Sequence, residues 1–440
     1  MTEKSDRGSR YTAAIALPLL TFWIIWICQL GMYFFNPYNY RPIAGYTWFV
    51  VGISLLCVTL GYLTYILAVH IHNYREGSSP VAPVLDQTRI HSFKNYIYAI
   101  CTVSFLAVLA LLYYLTKEIG GLGELVTNRI GLRDLFVVII KFSASDWNVL
   151  VSLLLYIYNF NHVAILLSAL YFTHASRPGF AAFWPLLNAT LYSLITLQRF
   201  AFVQTLVIWM FVALIAAYFL PAQRRKAALK RYFKLLFLAF PATLVLLLGV
   251  IILRIDFGEK EIDYLLTLRY AVGTVYAYVA GNIVALDQFL QKFNDFAWGG
   301  SVFRSFFKWF VRIGVVDPEL FRAPIHEFTD VGPMALNTYT FIRPFFEDVG
   351  IISTLIYSYI WGGVSAFAFV SLFRRFTLVR LHFCGLLFFS FFLSFYGFSL
   401  INLTQIAYLT AVVVVFEQVL VSGNRSPNKL SVHRGLNPSS

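Results

Sequence analysis

The chain has 440 residues, of which 59% are hydrophobic and only 12% charged. Soluble domains carry about 25% charged residues, so this composition excludes an ordinary soluble enzyme. It predicts an all-α, polytopic membrane protein. The four cysteines form no Cys-x-x-Cys pair, so neither a disulfide framework nor a cysteine metal site is expected.

Ten stretches of the sequence approach the roughly 20 apolar residues that a helix needs to cross a bilayer. They lie at about 12–34, 46–69, 96–116, 148–173, 180–196, 200–220, 233–253, 350–372, 381–399 and 404–421. The first stretch is too long for the core of a signal peptide and lacks a small-residue cleavage site, which predicts an uncleaved anchor. Ten spans would place both termini on the same side of the membrane.

The distribution of Lys and Arg predicts which side that is. The two termini and the loops that join the spans on their side carry 19 basic and 5 acidic residues, whereas the other side carries 15 and 16. Basic loops stay in the cytoplasm, so both termini are predicted to be cytoplasmic. The net charge of +13 is therefore mainly a topology signal and not the footprint of a nucleic-acid-binding protein.

Two segments on the other side are long. Residues 1–253 are predicted to hold the first seven transmembrane helices, with a first external segment at 117–147. Residues 254–349 are predicted to form a large helical external domain, 350–421 the last three helices, and 422–440 a cytoplasmic tail. A loop as long as 254–349 is usually structured or functional in a compact protein.

Within the large loop, "VFRSFFKWFVRI" has a helical pattern. Phe303, Phe306, Phe307 and Phe310 fall on one face, and Arg304, Lys308 and Arg312 fall on the opposite face. The pattern predicts a helix that lies in the outer membrane interface with its apolar side down. A sharper interpretation is that its cations also hold a lipid-linked phosphate.

The stretch "NTYTFIRPFFEDVG", residues 337–350 and called the entrance segment below, precedes the eighth apolar run. Pro344 suits the first position of a helix, which would place Arg343 just before the helix and Glu347 and Asp348 one turn inside it. The acids could simply complement the helix dipole, and Arg343 could extend to the interface. That interpretation accounts less well for the polar residues Asn337, Tyr339 and Thr340 in front of them.

Arg199 is a second unusual cation. It stands in a very short turn between two apolar runs, close to the hydrocarbon boundary, where an arginine is costly and usually faces a cavity or a partner. A single arginine that extends to the interface is the alternative. His162 and His174, in or beside the fourth apolar stretch, have no evident partner in the sequence.

The entrance segment resembles that of the Wzy-type O-antigen and capsule polymerases, which join oligosaccharide repeat units. Members of this family carry a similar Asn-x-x-Thr, aromatic, Arg/Pro and Asp-x-Gly entrance to a late span after a large external loop. "GGLGELVTNRIGLRDL" is similar to the Gly-Gly stretch of the family's first external segment. "LQRFAFVQTLVIWM", which contains Arg199, is similar to a second recurring element.

The resemblance implies an integral-membrane glycosyltransferase of GT-C-like architecture in the bacterial inner membrane, with its active site facing the periplasm. Its substrate would be an oligosaccharide on undecaprenyl pyrophosphate, and the lipid pyrophosphate would be the leaving group. A chain-length regulator, a flippase and membrane lipids would be its partners. No cofactor, metal ion or nucleic acid is expected.

This chemistry requires fixed cations at the departing pyrophosphate and a group that accepts the proton of the attacking hydroxyl. Arginine suits the first role because its guanidinium pairs with phosphate through two parallel hydrogen bonds. The predicted substrate-binding residues are Arg343, Arg199, Asn337, Tyr339, Thr340, Arg322 and Arg269. The predicted proton acceptors and catalytic residues are Asp348, Glu347 and His326.

Three alternatives stay open at this point. An O-antigen-ligase-like transferase would share the donor lipid and the topology. A lipid-linked oligosaccharide flippase or other transporter should have charges and broken helices near the membrane midplane, and the spans are nearly free of charge. The third alternative is a non-enzymatic scaffold of the same machinery.

Overall fold

The computed structural model describes residues 2–76, 87–119, 147–196, 199–252, 264–293, 296–304, 338–398, 400 and 403–422. It also describes short parts of 307–336, namely 307, 310–311, 313–315, 329–331 and 335–336. Of the predicted site residues, His326, Arg322 and Asn337 lie outside the described residues, as does the side chain of Arg199.

Over the described residues, the protein is almost entirely α-helical. In chain order the helices are α1 (Thr2–Phe35), α2 (Gly45–Glu76), α3 (Gln87–Ile119), α4 (Trp147–Tyr158), α5 (Asn161–His174), α6 (Trp184–Thr196), α7 (Arg199–Tyr218), α8 (Ala222–Ile252), α9 (Tyr264–Tyr276), α10 (Asn282–Lys292), α11 (Ile342–Arg374), α12 (Leu378–Phe392) and α13 (Leu403–Ser422). A short 3-10 turn (Phe180–Ala182) precedes α6, and a π-helical turn (Ala277–Gly281) joins α9 to α10. Strands β1 (Thr329–Asp330) and β2 (Ala335–Leu336) form an antiparallel pair with Thr329 opposite Leu336.

Each of the ten predicted apolar stretches contains a helix. Seven helical spans in the described residues are long and apolar enough to cross a membrane. α12 and α13 are shorter apolar helices, and α6 has only 13 residues. The fold is therefore that of an all-α polytopic membrane protein, and the number of ten spans stays a prediction.

The most extensive helix–helix contact among the described residues is a very close one between α2 and α11. A Cβ on Gly61 would lie 2.0 Å from the carbonyl oxygen of Tyr359, and a Cβ on Gly362 would lie 2.1 Å from that of Val58. Small residues at such an interface let two membrane helices approach to backbone contact, which increases dispersion and Cα–H···O contacts. These two glycines therefore set the distance between α2 and α11.

Two breaks interrupt the spans. The span Val149–His174 is divided at Asn159 and Phe160, between α4 and α5. α11 is divided at Val349 (φ −146°, ψ 35°) and Gly350 (φ 66°, ψ −139°). Gly350 has a positive φ, which an L-residue with a side chain adopts only at a cost, so α11 consists of a short turn and a long apolar helix.

At one end of the bundle α1 ends and α2 begins, and this end is called the outer end below because the charge pattern of the sequence predicts that it is external. Asp287 of α10 accepts hydrogen bonds there from the Ala44 backbone N–H (3.0 Å) and the Thr47 hydroxyl (2.6 Å), at the start of α2. Its other oxygen accepts from Gln291 (2.7 Å). A carboxylate at a helix N-terminus satisfies unpaired N–H groups and complements the helix dipole. Asp287 thus fixes α10 over the outer end of α2.

Replacement of Asp287 by alanine is expected to destabilise the protein by about 1–3 kcal/mol, because it leaves buried donors at the start of α2 without an acceptor. The measurement is the thermal unfolding midpoint of the detergent-solubilised protein. The matched control is Gln288→Ala, since Gln288 is the next residue on α10 and bonds only the exposed carbonyl of Asp330 in the described contacts. Equal midpoints for the two variants would contradict the capping role.

Asn282, at the start of α10, connects two further elements of the outer end. Its Nδ2 donates to the Phe395 carbonyl (3.1 Å), and its Oδ1 accepts from the Thr338 hydroxyl (2.8 Å). The Phe341 backbone N–H donates to the Ser394 carbonyl (2.8 Å). The entrance segment is therefore tied to α10 and to the turn after α12.

Candidate functional site

The aromatic side chains of the entrance segment pack into a cluster of rings from α11, α12 and the turn after α12. The ring centroids of Phe341 and Trp361 are 5.0 Å apart, those of Phe345 and Phe398 are 4.8 Å apart, and those of Trp361 and Phe391 are 4.8 Å apart. Edge-to-face and tilted contacts of this kind add to the energy of burying the rings. The rigid aromatic packing gives the polar residues above it a fixed position.

The helix begins two residues earlier than the position of Pro344 indicates. α11 starts at Ile342, so Arg343 lies within the first turn, and Pro344 is its third residue. Thr340 is fully buried, and its hydroxyl accepts from the Ile342 N–H (3.3 Å) while its carbonyl accepts from the Arg343 N–H (3.3 Å). Proline is tolerated in a first turn because its missing N–H would be unpaired there anyway. Thr340 therefore stabilises the first turn of α11 through these two contacts.

Arg343 is held on three sides. Its Nε donates to the Glu347 Oε1 at 2.6 Å, and the two side chains are only 13% and 10% exposed. The guanidinium carbon lies 3.8 Å from the ring centroid of Tyr339 and 4.7 Å from that of Phe289. Cation–π contacts of this geometry are worth about 0.5–2 kcal/mol when they are desolvated. Arg343 is therefore a largely buried and fixed cation.

Glu347 and Asp348 bind a turn from the large loop. The Ser301 hydroxyl donates to the Glu347 Oε2 (2.7 Å), and the Ser301 and Val302 backbone N–H groups donate to Asp348 Oδ1 (2.9 Å) and Oδ2 (3.3 Å). The carbonyls of Glu347 and Asp348 accept from the Ala297 and Trp298 N–H groups, at 2.7 and 3.0 Å. Asp348 is fully buried. The two acids therefore clamp residues 297–302 onto the start of α11.

The clamped turn has an unusual backbone. Trp298 and Gly299 have positive φ angles of 46° and 90°. A positive φ is uncommon for a residue with a side chain and indicates that the surrounding contacts impose the conformation. The turn leads directly into the helical residues Arg304, Phe307, Phe310 and Val311. Its conformation thus determines where Arg304 lies.

Arg304 is brought next to the acids. Its Nε is buried and has no hydrogen-bond partner among the described residues, and the side chain as a whole is half-buried. Burial lowers the pKa of the Arg304 guanidinium, and the charge of Glu347 opposes that shift. The helical pattern predicted Arg304 on the polar face of an interfacial helix together with Lys308 and Arg312, which lie outside the described residues. In the structure Arg304 is half-buried beside Glu347, while Phe303 is 39% exposed.

The structure thus brings together Arg343, Glu347, Asp348, Tyr339 and Thr340 of the predicted site. Arg269, by contrast, is exposed on α9. Sequence reasoning missed Ser301, Phe289 and the position of Arg304. The "WGGS" sequence before a helical pattern was the available signal for Ser301, because a serine in that position commonly caps a helix.

The arrangement is a compact group of two guanidiniums and two carboxylates. Both oxygens of each acid already accept hydrogen bonds, whereas the Arg304 Nε has no acceptor among the described residues, so the Arg304 guanidinium could donate to an anion. Within the described part of the chain, no three His, Cys, Asp or Glu side chains lie close enough together to hold a metal ion. Comparison of the chain with protein-family models, curated proteins and solved structures gave no match.

Proposed function

We propose that the protein is an integral-membrane glycosyltransferase that polymerises oligosaccharide repeat units carried on undecaprenyl pyrophosphate. A sugar hydroxyl of one unit attacks the anomeric carbon of the other, the carbon–oxygen bond to the pyrophosphate breaks, and the lipid pyrophosphate leaves. The observation that carries the proposal is the Arg304 guanidinium, which lies beside Glu347 and whose buried Nε lacks a partner in the part of the chain that the structure describes. A guanidinium held in this way can stabilise the charge that develops on the leaving group.

The proposal includes the topology that the charge pattern predicts. It has ten spans in a GT-C-like arrangement, both termini in the cytoplasm of a bacterial inner membrane, and the outer end of the bundle at the periplasm. Arg199 would contribute a further cation from the start of α7. A chain-length regulator and a flippase of the same pathway would act as partners, and the reaction would need no metal ion.

The geometry favours different roles for the predicted acids. Asp348 is fully buried and accepts two backbone hydrogen bonds, which favours a positioning role for the turn at Ser301. Glu347 holds Arg343 and lies beside Arg304, which favours an orienting role for both cations. In this proposal His326 is the proton acceptor, Glu347 orients the two cations, and Asp348 acts through the clamped turn.

Arg304→Gln is expected to lower polymer synthesis by about 100-fold or more, since removal of one donor to a developing negative charge has an effect of that order. The measurement is the ladder of products that purified protein forms from lipid-linked repeat units. Arg269→Gln is the matched control, because Arg269 is exposed on α9 and the described residues show no contact between it and the site. A full ladder from the Arg304 variant would remove this residue from the site, and no ladder from the wild-type protein would refute the polymerase.

A transporter of lipid-linked oligosaccharide is the second candidate. The break between α4 and α5 lies beside a buried pair of histidines, His162 and His382, in the interior of the bundle. Broken helices and buried ionisable groups are typical of transporters. Translocation of a fluorescent lipid-linked oligosaccharide in proteoliposomes, without ladder formation, would favour this function over the transferase.

A further inference from the structure

Two histidines from distant parts of the chain meet in the interior of the bundle. His162 Nε2 lies 2.8 Å from His382 Nδ1, and His382 Nε2 lies 3.1 Å from the Thr410 hydroxyl oxygen. His162 is 7% exposed, and His382 is fully buried. Ionisable side chains are rare within membrane spans and usually mark a functional site.

The hydrogen bonds determine the protonation of both rings. The Thr410 hydroxyl donates to the Ile406 carbonyl (2.7 Å), so its oxygen is free to accept from the His382 Nε2–H. His382 Nδ1 is then the acceptor of its ring, and His162 must donate through Nε2–H. Each ring therefore donates to the next group, His162 to His382 and His382 to Thr410. Both hydrogen bonds form when the two rings are neutral.

The histidine chain connects a broken span to two other helices. His162 is the second residue of α5, and its backbone N–H donates to the Asn159 carbonyl within the break (3.0 Å). His382 belongs to α12 and Thr410 to α13. The neighbouring Asn161 donates to the Pro185 carbonyl at the start of α6 (3.0 Å). The geometry of the break therefore depends on contacts from its own polar side chains.

An additional proton at this place would have no counter-ion within the described residues. The charged groups of α12 and α13 are engaged elsewhere: Arg380 donates to the carbonyls of Ser371 and Arg375, and Glu417 accepts from the Val379 N–H. The other titratable side chains of these two helices are Cys384 and Tyr408, and the Tyr408 hydroxyl donates to the Tyr156 carbonyl. Cys101 of α3 lies near the histidine pair. Asn188 donates both to the Cys101 carbonyl and to the side chain of Asn161, the residue before His162.

We propose that His162 and His382 form a proton-binding site that couples the break between α4 and α5 to acidification. In the neutral state the pair ties α5 to α12 and α13. A proton added to His382 Nδ1 turns an acceptor into a donor that faces the His162 Nε2–H. The hydrogen bond between the two rings can then form only if His162 carries its proton on Nδ1 instead of Nε2. Even in that case a positive charge lies in the apolar interior. Protonation therefore weakens the hydrogen bond that ties the start of α5, next to the break, to α12.

The first test is the thermal unfolding midpoint of the full chain in detergent, measured between about pH 8 and about pH 5, a range that brackets the ordinary histidine pKa of about 6.5. The wild-type midpoint is expected to fall on acidification by clearly more than that of the double variant His162→Gln/His382→Gln. His70→Gln is the matched control, since His70 is exposed on α2, and it should behave as the wild type does. Equal pH dependence of the wild type and the double variant would overturn the proposal.

The second test needs no variant of the pair to fold. Imidazole nitrogen NMR of the ¹⁵N-histidine-labelled wild-type protein reports the protonation of all eight histidines. Two of them are expected to be neutral and Nε2-protonated at about pH 8, and to take up a proton on acidification at a lower pH than the exposed ones. Ordinary titration of every histidine, or two histidines that stay neutral until the protein unfolds, would overturn the proposal. Both tests measure protonation and stability, so they stand independently of the proposed transferase activity.

Discussion

Gly362→Ala is expected to prevent stable folding, whereas Gly363→Ala is expected to leave the protein intact. A Cβ on Gly362 would lie 2.1 Å from the Val58 carbonyl oxygen and 3.0 Å from the Tyr62 backbone nitrogen. Neither atom can move away by a side-chain rotation, so α2 and α11 would have to separate along their whole contact. The cost is expected to reach or exceed about 3 kcal/mol, the upper end of the usual range for overpacking.

Gly363 is the matched control for this prediction. It is the adjacent residue in the same helix, and its Cβ would lie 3.6 Å from the Gly61 carbonyl oxygen, which is ordinary van der Waals contact. Alanine is the better helix former by about 1 kcal/mol, so the control substitution could only gain local stability. Size-exclusion profiles and thermal midpoints of the two detergent-solubilised variants measure the difference. Matching profiles and midpoints would show that the α2–α11 contact is looser than the structure has it.

The apolar segments of this chain were predictable because membrane helices follow from local composition. Even the division of α11 agrees with the sequence, since the long apolar helix begins after Gly350, where the eighth apolar run was predicted to start. The exact start of the helix was not predictable from Pro344. Capping by Thr340 and burial of Phe341 and Phe345 extend the helical turn to Ile342.

The contacts that build the site were not predictable, because each joins residues that are far apart in the sequence. The patterns around Gly61 and Gly362 do not reveal that Gly61 packs against the Tyr359 backbone and Gly362 against the Val58 backbone. The amphipathic pattern placed Arg304 on the face opposite the phenylalanines, but it could not show that the contacts of Ser301 with Asp348 and Glu347 bring Arg304 beside Glu347. His162 had no evident partner because His382 lies 220 positions away.

Arg343→Ala is expected to destabilise the protein by about 3 kcal/mol, because it leaves the carboxylate of Glu347 largely buried without its cation. Glu347→Ala alone is expected to cost less, since Arg343 keeps its contacts with the rings of Tyr339 and Phe289. The double variant Arg343→Ala/Glu347→Ala removes both charges and is expected to regain about 2 kcal/mol relative to the sum of the single effects, within the range measured for residues in direct contact. Thermal midpoints of the four proteins give this coupling.

Product ladders of the same four proteins separate the structural role of Arg343 from a chemical one. If the guanidinium serves only to neutralise Glu347, the double variant regains polymer synthesis together with stability. If Arg343 also contributes to the binding of the lipid pyrophosphate, the double variant regains stability and still forms no ladder, because no cation has replaced the guanidinium. We expect the second result, since a cation fixed by a carboxylate and two aromatic faces needs no reorganisation when charge develops beside it. The first result would leave Arg304 to carry the proposed site without Arg343.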